Sequence, residues 1–577
     1  MSFPPKKAIL LSNKEIIKQL KLTGSLLELH NANPFKVRAY TGIVFHLEKL
    51  DETLAEKDMD GLLALDIKKG MAEKILQISE KGIFDELEKL QADTPKGVVE
   101  MLNIKGIGAK KIRTIWKELD ITTLDALYQA CEEGKIANLK GFGEKTQKLI
   151  IEQIDYLNEN KGKLHFAKAE PIAKAWLKKL EENKLTENAA LSGDVRRYME
   201  VIDRIQLVIA TKDKSAYRKF LNETEGLSYD ERNSGPFSWR GTDEENGLPI
   251  EIQLTSPEKF AATLLVNSAA PEHLAVSVGE NGHSLRTLVN TEDFTDEPAI
   301  YTAANMQYVP AEMREGAFEI ALAKESKLPK TVEMNDLKGI LQNHSTYSDG
   351  QHTLEEMAKH CKELGYEYLG ITDHSKSAFY ASGLDESRIK EQQEEIEVLN
   401  KKLAPFKIFK GIESDILNDG KLDYADEVLA SFDFIVASVH SNLKMDEEKA
   451  TNRLLTAIAN PYTTMLGHPT GRLLLRREGY PIDHKAVIDA CAERNVIIEI
   501  NANPWRLDLD WRWVRYATDK GVLISINPDA HEKDGYHDMR YGLLVGKKAG
   551  LTKEMTFNAL SSEEVEKYFK ERKEKIK

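Results

Sequence analysis

Between Gly339 and His531 the chain repeats one pattern seven times: a short apolar run, rich in β-branched residues, that ends in polar or ionisable side chains. The runs are GILQNHS (339–345), YLGITDH (368–374), FKIFKGIES (406–414), FIVASVH (434–440), TTMLGH (463–468), VIIEINAN (496–503) and VLISINPDAH (522–531). Helical-looking segments such as TLEEMAKHCKEL (353–364) follow them. Buried runs alternating with amphipathic helices predict a parallel sheet covered by helices. Seven in one domain predict a closed β/α barrel, whose active site lies at the carboxyl ends of the strands. The first part of the chain reads differently. From Asn13 to about Leu90 the apolar positions have helical spacing, and Pro34 after Asn33 marks a turn between two helices.

At or shortly after the run ends stand His344, Asp349, His374, Glu413, His440, His468, Asp529 and His531. Any one of these histidines, alone, is more often a core or surface residue. Eight ligand-type residues converging on one end of a barrel are hard to explain by packing. Imidazole with carboxylate and no thiolate suits zinc, manganese or iron. A carboxylate such as Glu413 bridges two ions in sites of this kind, and clustered ions serve phosphoester cleavage. His352, His360 and His484 lie on helical or loop stretches and read as packing residues.

A second repeat lies earlier. NIKGIGAKKIRTIWKEL (103–119) and NLKGFGEKTQKLIIEQI (138–154) share a Gly-x-Gly hairpin that opens an amphipathic helix. Gly106, Gly108, Gly141 and Gly143 let backbone approach a ligand closely, and helix-start N–H groups favour phosphate. Lys110, Lys111 and Lys145 add positive charge beside them. Two matching copies point to the DNA backbone as ligand; the bland alternative is a hairpin pair used only for packing.

A chain of 577 residues exceeds one core and predicts several domains. No apolar run approaches the ~20 residues that span a bilayer, the start lacks the apolar region of a secretory signal, and Cys131, Cys361 and Cys491 are too scattered to pair or bind zinc. The expectation is a cytoplasmic protein with reduced core thiols and no membrane partner. The net charge of -14 at first opposes a nucleic-acid partner. It is uneven, however: residues 1–180 carry 30 basic and 26 acidic side chains, leaving about -18 for the rest. A local basic face suffices for binding.

These residues resemble known families. The twin hairpins, with NPFKVRAY (33–40), are similar to the helix-hairpin-helix and deoxyribose-phosphate-binding domains of family X DNA polymerases. A first hairpin falls at LDIKKGMAEKI (65–75), where Lys68 stands at a family glycine, and the family's Schiff-base lysine carries over to Lys74. Taken alone, such a lysine is usually a solvated surface residue. The stretch LSGDVRRYMEVIDRIQLVIAT (191–211) resembles the opening of the polymerase palm, with Gly193, Arg196 and Arg197 in place. Asp194 replaces the family serine, and Arg204 and Gln206 stand where two metal-binding aspartates belong. Asp203 supplies one carboxylate but none two residues on, where the same strand face recurs. The third carboxylate position is Glu251, and EPAIYTAANMQYVPAEMREG (297–316) resembles the thumb end. The carboxy-terminal repeats resemble the PHP (polymerase and histidinol phosphatase) domain.

The resemblance implies four segments: a helical lyase-like domain (1–90), a helix-hairpin-helix domain (91–160), an α+β nucleotidyltransferase-like palm and thumb with a degenerate site (161–325), and a distorted (β/α)7 TIM-like PHP barrel (335–577). It also implies three ions, one on Gln342, His344, Glu413 and Asp529, a second on Glu413, His440 and His468, and a third on Asp349, His374 and His531. Gln342 stands where the family has histidine, which favours a harder ion such as manganese or magnesium at that position over zinc. The catalytic group is expected to be Glu413, His440 and Asp529, with Arg506 as a phosphate contact. The expectation is a monomer that cleaves phosphodiesters in gapped, nicked or abasic DNA, as a 3′-to-5′ exonuclease or abasic-site endonuclease, without nucleotide addition. A non-catalytic DNA scaffold, a phosphomonoesterase and a residual gap-filling polymerase are the alternatives. The segment EEVEKYFKERKEKIK (563–577) reads as a solvated helix.

Overall fold

A computed structural model describes residues 12–576 apart from Lys49, Asp51 and 279–281. The start, read above as lacking a secretory signal, lies outside the described residues. The chain forms two compact units, Met1–Lys161 and Gly162–Lys577.

The described part of the first unit is helical. Ser12 caps the helix Asn13–Leu29 with a reciprocal bond to Glu15, and Asn33 caps Pro34–Leu47 with proline in its first turn. One apolar cluster runs from Ile16 to Ile154. The helices Ala109–Leu119 and Glu144–Glu159 start at Gly108 and Gly143, as the repeat predicts. Gly106 and Gly141, with φ of 86° and 84°, make the turns. In the first hairpin Asp66 takes that left-handed position with φ 58°, while Lys68 sits in ordinary extended backbone. No glycine is needed at 68.

The second unit begins with a five-stranded sheet. Its strands are β1 (Asn188–Ser192), β2 (Ile205–Ala210), β3 (Leu227–Tyr229), β4 (Ser238–Asp243) and β5 (Pro249–Thr255), in the order β1-β2-β5-β4-β3. Only β2 and β5 run parallel. Glu297, on the helix Glu297–Ala303, ties this sheet's flank to the following subdomain. It accepts paired bonds from Arg196 at 2.8 and 2.7 Å and from the buried Arg314 at 2.7 and 3.1 Å.

The seven carboxy-terminal runs form β6 (Gly339–Ile340), β7 (Tyr368–Ile371), β8 (Lys407–Asp415), β9 (Phe434–Ser438), β10 (Met465–Leu466), β11 (Ile497–Asn501) and β12 (Ile524–Asn527). All pair parallel with their sequence neighbours. Strand periodicity explains the layers. Ile408 and Ile412, Ile435 and Ala437, and Ile498 and Ile500 join the large core shared with the covering helices. Phe409, Phe434, Val436 and Ile497 have the opposite parity and pack together in a separate cluster. Glu413, His440 and Glu499 continue that second face toward the strand ends. Gly370 and Gly411 make room for Phe434: a Cβ on either would lie 2.7 or 2.5 Å from its ring.

The predicted closure is incomplete. Between β6 and β12 the described residues form one bridge, Asn343 to Ala530, at the ligand-bearing end. Lower down, the buried Asn558 fills the seam. Its amide donates to Gly339 at 3.1 Å and Ile526 at 2.7 Å, and its carbonyl accepts from Ile526 at 3.1 Å. The helix Ser562–Glu574 is not solvated along its length, contrary to the sequence reading. Val565 and Phe569 are buried with Phe557 in the Phe434 cluster, and the Phe434 and Phe569 rings stack at 5.1 Å. The charged residues of this segment hid two apolar anchors four positions apart.

Phe569→Ala is expected to destabilise the second unit by about 3–5 kcal/mol, measured by urea unfolding. Burial would raise the Glu297 carboxyl, but Arg196 and Arg314 outweigh it and hold it down to about 2. With an ordinary value of 4.5 when unfolded, this group contributes about 3 kcal/mol above pH 4.5, lost as pH falls through 2. Glu297→Gln should remove that part of the acid dependence in a pH series of unfolding midpoints.

Candidate metal centre

Six of the seven barrel strands, all but β11, deliver a site residue at or just past the carboxyl end. Gln342 and His344 follow β6, His374 follows β7, Glu413 sits within β8, His440 follows β9, His468 follows β10, and Asp529 and His531 follow β12. Asp349 comes from the loop after β6. Gln342 and Asp529 hold left-handed backbone, with φ of 62° and 53°, a strain that surrounding structure must sustain.

Glu413 is the hub and is fully buried. His468 Nε2 lies 3.0 Å and His440 Nε2 3.3 Å from its Oε1, while His374 Nδ1 lies 3.0 Å and His344 Nε2 3.6 Å from its Oε2. Asp529 Oδ1 is 3.0 Å from His344 Nε2. Asp349 is 3.3 Å from His531 and 3.6 Å from His374. Three groupings could each hold an ion: His344, Asp349, His374 and His531; His374, Glu413 and His440; and His344, Glu413 and Asp529. The eight expected ligands thus come together, with His344 and His374 shared more widely than the three predicted sets allow. His468 touches Glu413 but falls outside these groupings.

The donor atoms fit cations. His344 Nδ1, His468 Nδ1 and Gln342 Oε1 are buried without a hydrogen-bond partner. Buried polar atoms are rarely left so, and aligned imidazole and carboxylate donors are what a multinuclear site offers. Burial opposes a charged Glu413, yet the imidazoles of His440 and His374 hold it well below the usual carboxylate range. Burial opposes a charged His440 too, and Glu413 and Asp415 override it, raising the ring to about 10. Gln342 joins the hub by donating from Nε2 to Glu413 Oε1 at 3.0 Å. Arg506 also reaches the site, its Nε 3.6 Å from Asp529 Oδ2.

Several supporting residues escaped the sequence reading. Asp415 accepts from His440 Nδ1 at 2.6 Å and from Ser377 at 2.9 Å. Asp373 accepts from the Ser345 backbone at 2.8 Å, its hydroxyl at 2.7 Å and Gln392 at 2.6 Å, tying the Asp349 loop to the His374 strand. Glu499, raised well above its usual range by burial and by Asp529, fixes the His468 backbone at 2.8 Å. The signal for Glu499 was an acid inside an otherwise apolar run. His360 and His484 stack on Tyr536 and Trp513 as packing residues.

The other expected sites are dispersed. In the first unit, Gly108 and Gly143 have open space around the position of a Cβ. Lys111 lies over the Phe142 ring at 5.2 Å, joining the two hairpins, while the exposed Lys110 lies 3.9 Å from Glu28. Lys74 is held 3.6 Å from Glu86 and donates to Gly70 at 3.3 Å. In the five-stranded sheet, Gln206 faces Glu251 across β2 and β5. Glu251 is taken up by Arg240 at 2.7 Å, Gln253 at 3.1 Å, Gln206 at 3.4 Å and Arg204 at 3.9 Å. Arg204 also pairs with Asp203 at 3.1 Å, and Asp194 with Arg197. The Gln206 amide covers Gly193, whose added Cβ would lie 1.9 Å from it. Among the described residues, no ion-holding grouping occurs in this sheet.

Comparison with known proteins agrees with this geometry. The PHP domain family matches residues 341–503, and the SAM-like helix-hairpin-helix tandem family matches 98–155. The DNA polymerase/3′-5′ exonuclease PolX of Bacillus subtilis is 34% identical over 573 residues, covering 96% of this chain and 99% of that protein. This chain belongs to the PolX family. Probable phosphatases of Thermoanaerobacter sp. (strain X514) and Acetivibrio thermocellus are 29% and 28% identical, each over 42% of the chain and nearly their full lengths. Among the described residues no helix is long and apolar enough to cross a membrane.

Asp415→Asn should lower metal affinity about 10–100-fold, the usual cost of removing a carboxylate behind a ligating imidazole. Gln342→His should raise zinc retention after dialysis. Elemental analysis of both proteins checks these outcomes.

Proposed function

We propose that the barrel is a metal-dependent phosphodiesterase acting on DNA, as a 3′-to-5′ exonuclease or abasic-site endonuclease. The observation that carries this reading is the gathering of imidazole and carboxylate side chains around the buried Glu413 in three groupings that could each hold an ion. Gln342, His344, Asp349, His374, Glu413, His440, His468, Asp529 and His531 would hold up to three ions, manganese or zinc, with magnesium a further candidate at the Gln342 position. Bound ions of this kind stabilise charge on phosphate oxygens and acidify water. The chain's own contribution is to orient and to exclude water. Asp415 keeps the His440 ring aimed at Glu413, and Asn501 donates to Asp529 at 3.1 Å. Arg506, beside Asp529, is suited to a substrate phosphate. The four segments 1–90, 91–160, 161–325 and 335–577 divide the work, with Gly106, Gly108, Lys110, Lys111, Gly141, Gly143 and Lys145 holding the backbone of gapped, nicked or abasic DNA.

The palm is proposed to have lost nucleotidyl transfer. Supporting this, Glu251 is saturated by cationic and amide partners, Arg204 and Gln206 bring no carboxylate, and Gln206 covers Gly193. Two-metal transfer needs carboxylates free to bind cations. A lyase role for Lys74 is weakened by the pairing of its ammonium with Glu86, since Schiff-base chemistry needs the free amine.

The test is product formation with manganese on 3′-labelled and abasic-site DNA. His440→Ala should lower cleavage by more than about 100-fold, since losing a ligand costs more than losing its supporting partner. Asp203→Ala should leave it intact. Lys110→Ala with Lys145→Ala should weaken DNA binding and lower the salt slope by about 2. Tight binding without cleavage would favour the scaffold. Nucleotide addition abolished by Asp203→Ala would overturn the reading of the palm.

A further inference from the structure

Two large aromatic side chains are left in water beside the metal centre. Phe379 is 88% and Tyr380 71% exposed. They occupy a single helical turn, Phe379–Ala381, five residues past His374. The Tyr380 ring lies 6.3 Å from the His374 ring. Partial desolvation and the charges of Asp415, Glu413 and Asp349 raise its hydroxyl, which places it within the field of the site.

The turn is fixed to the site at both ends. Leu384 donates to the His374 carbonyl at 2.8 Å, and Ser375 bridges Leu384. Ser377 donates to Asp415 at 2.9 Å, the carboxylate that orients His440, and Lys376 donates to the Tyr424 hydroxyl at 3.1 Å. Ala378 and Ala381 are buried beneath the aromatics, and Gly383 passes so close to Ser375 that a Cβ would lie 1.9 Å from its carbonyl. Exposed aromatic area beside a site marks a contact surface.

Trp505 is 37% exposed and precedes Arg506, which reaches Asp529. Its ring lies 4.0 Å from the His165 ring and 4.6 Å from Lys168 Nζ, whereas Phe379 and Tyr380 are left far more open to solvent.

We infer that Phe379 and Tyr380 form a stacking lip that holds the terminal base of the strand entering the metal centre, and so set preference for an end whose last base is unpaired. The inference rests on the barrel's being a nuclease. The chemistry fits: every base has a π-face, stacking needs no sequence-specific hydrogen bond, and an aromatic removed from such a platform typically weakens binding by about 5–150-fold. A base within a duplex is stacked on its neighbours and is not free to use the lip.

The test uses the full-length protein and single-stranded oligonucleotides ending in 2-aminopurine or in a base-free tetrahydrofuran. Binding is read first, with calcium in place of manganese, as quenching of the terminal 2-aminopurine. Wild type should quench it, and Phe379→Ala/Tyr380→Ala should relieve the quenching while Phe379→Trp retains it. With manganese, the double substitution should raise KM about tenfold or more for the base-ended strand, with a much smaller change for the tetrahydrofuran-ended strand. Equal effects on both ends, or unchanged quenching in the double variant, would overturn the lip. Quenching that needs both aromatics, without hydrolysis by wild type, would uphold the lip as a base-binding site and sink the nuclease reading alone.

Discussion

Glu413 is a carboxylate with no water to solvate it. An isolated buried charge of that kind is costly enough to neutralise itself, and only concentrated positive charge keeps it ionised. The fold sets imidazoles from four other strand ends around it, His344, His374, His440 and His468, and those of His440 and His374 hold it ionised. A parallel sheet wrapped nearly into a barrel is suited to this task because every strand points the same way. Its carboxyl ends meet in one place, and residues two apart along a strand share a face. The apolar floor and the ligand-bearing roof are therefore successive positions on the same inward side.

That requirement propagates outward. Asp415 and Asp373 are buried acids that never reach the centre themselves, yet they hold the groups that do. Asp415 touches both the ring of His440 and the loop carrying Phe379 and Tyr380. The lip and the ligand are thus set by one carboxylate. The five-stranded sheet shows the opposite solution to the same electrostatic problem. There Glu251 is met by Arg240, Arg204 and two amides, the contacts on which the proposed loss of nucleotidyl transfer rests.

Much of this was legible in the residues. Six of the seven barrel strands lie within the apolar runs and β8 passes the end of its run by one residue, Asp415, because β-branched segments bounded by polar ends have little other use in a buried parallel sheet. The residues that gather around Glu413 were readable for a related reason: His344, His374, His440, His468, Asp529 and His531 lie in the last three positions of their runs, as Glu413 does, while Asp349 follows its run by four residues. The supporting residues were hidden because their roles are long-range. Nothing local marks Asp415 as the partner of His440, 25 positions later, and Asn558 looks like any loop asparagine until β6 and β12 are seen to leave a seam. The tail helix was misread because its charges outnumber its anchors, whereas two side chains suffice when the receiving cavity is already built.

The Asn558 seam and the Phe569 anchor have a consequence for the order of assembly. Residues 557–569 are synthesised after every strand of the barrel, yet they complete its floor and join its first strand to its last. Until they emerge, Phe434 faces an unfilled cavity and β6 and β12 lack the side chain that links them below the ligand end. The metal centre depends on the spacing of those strands. On the ribosome, a finished set of ligands therefore precedes a finished site, and competence to gather ions arrives in a late step.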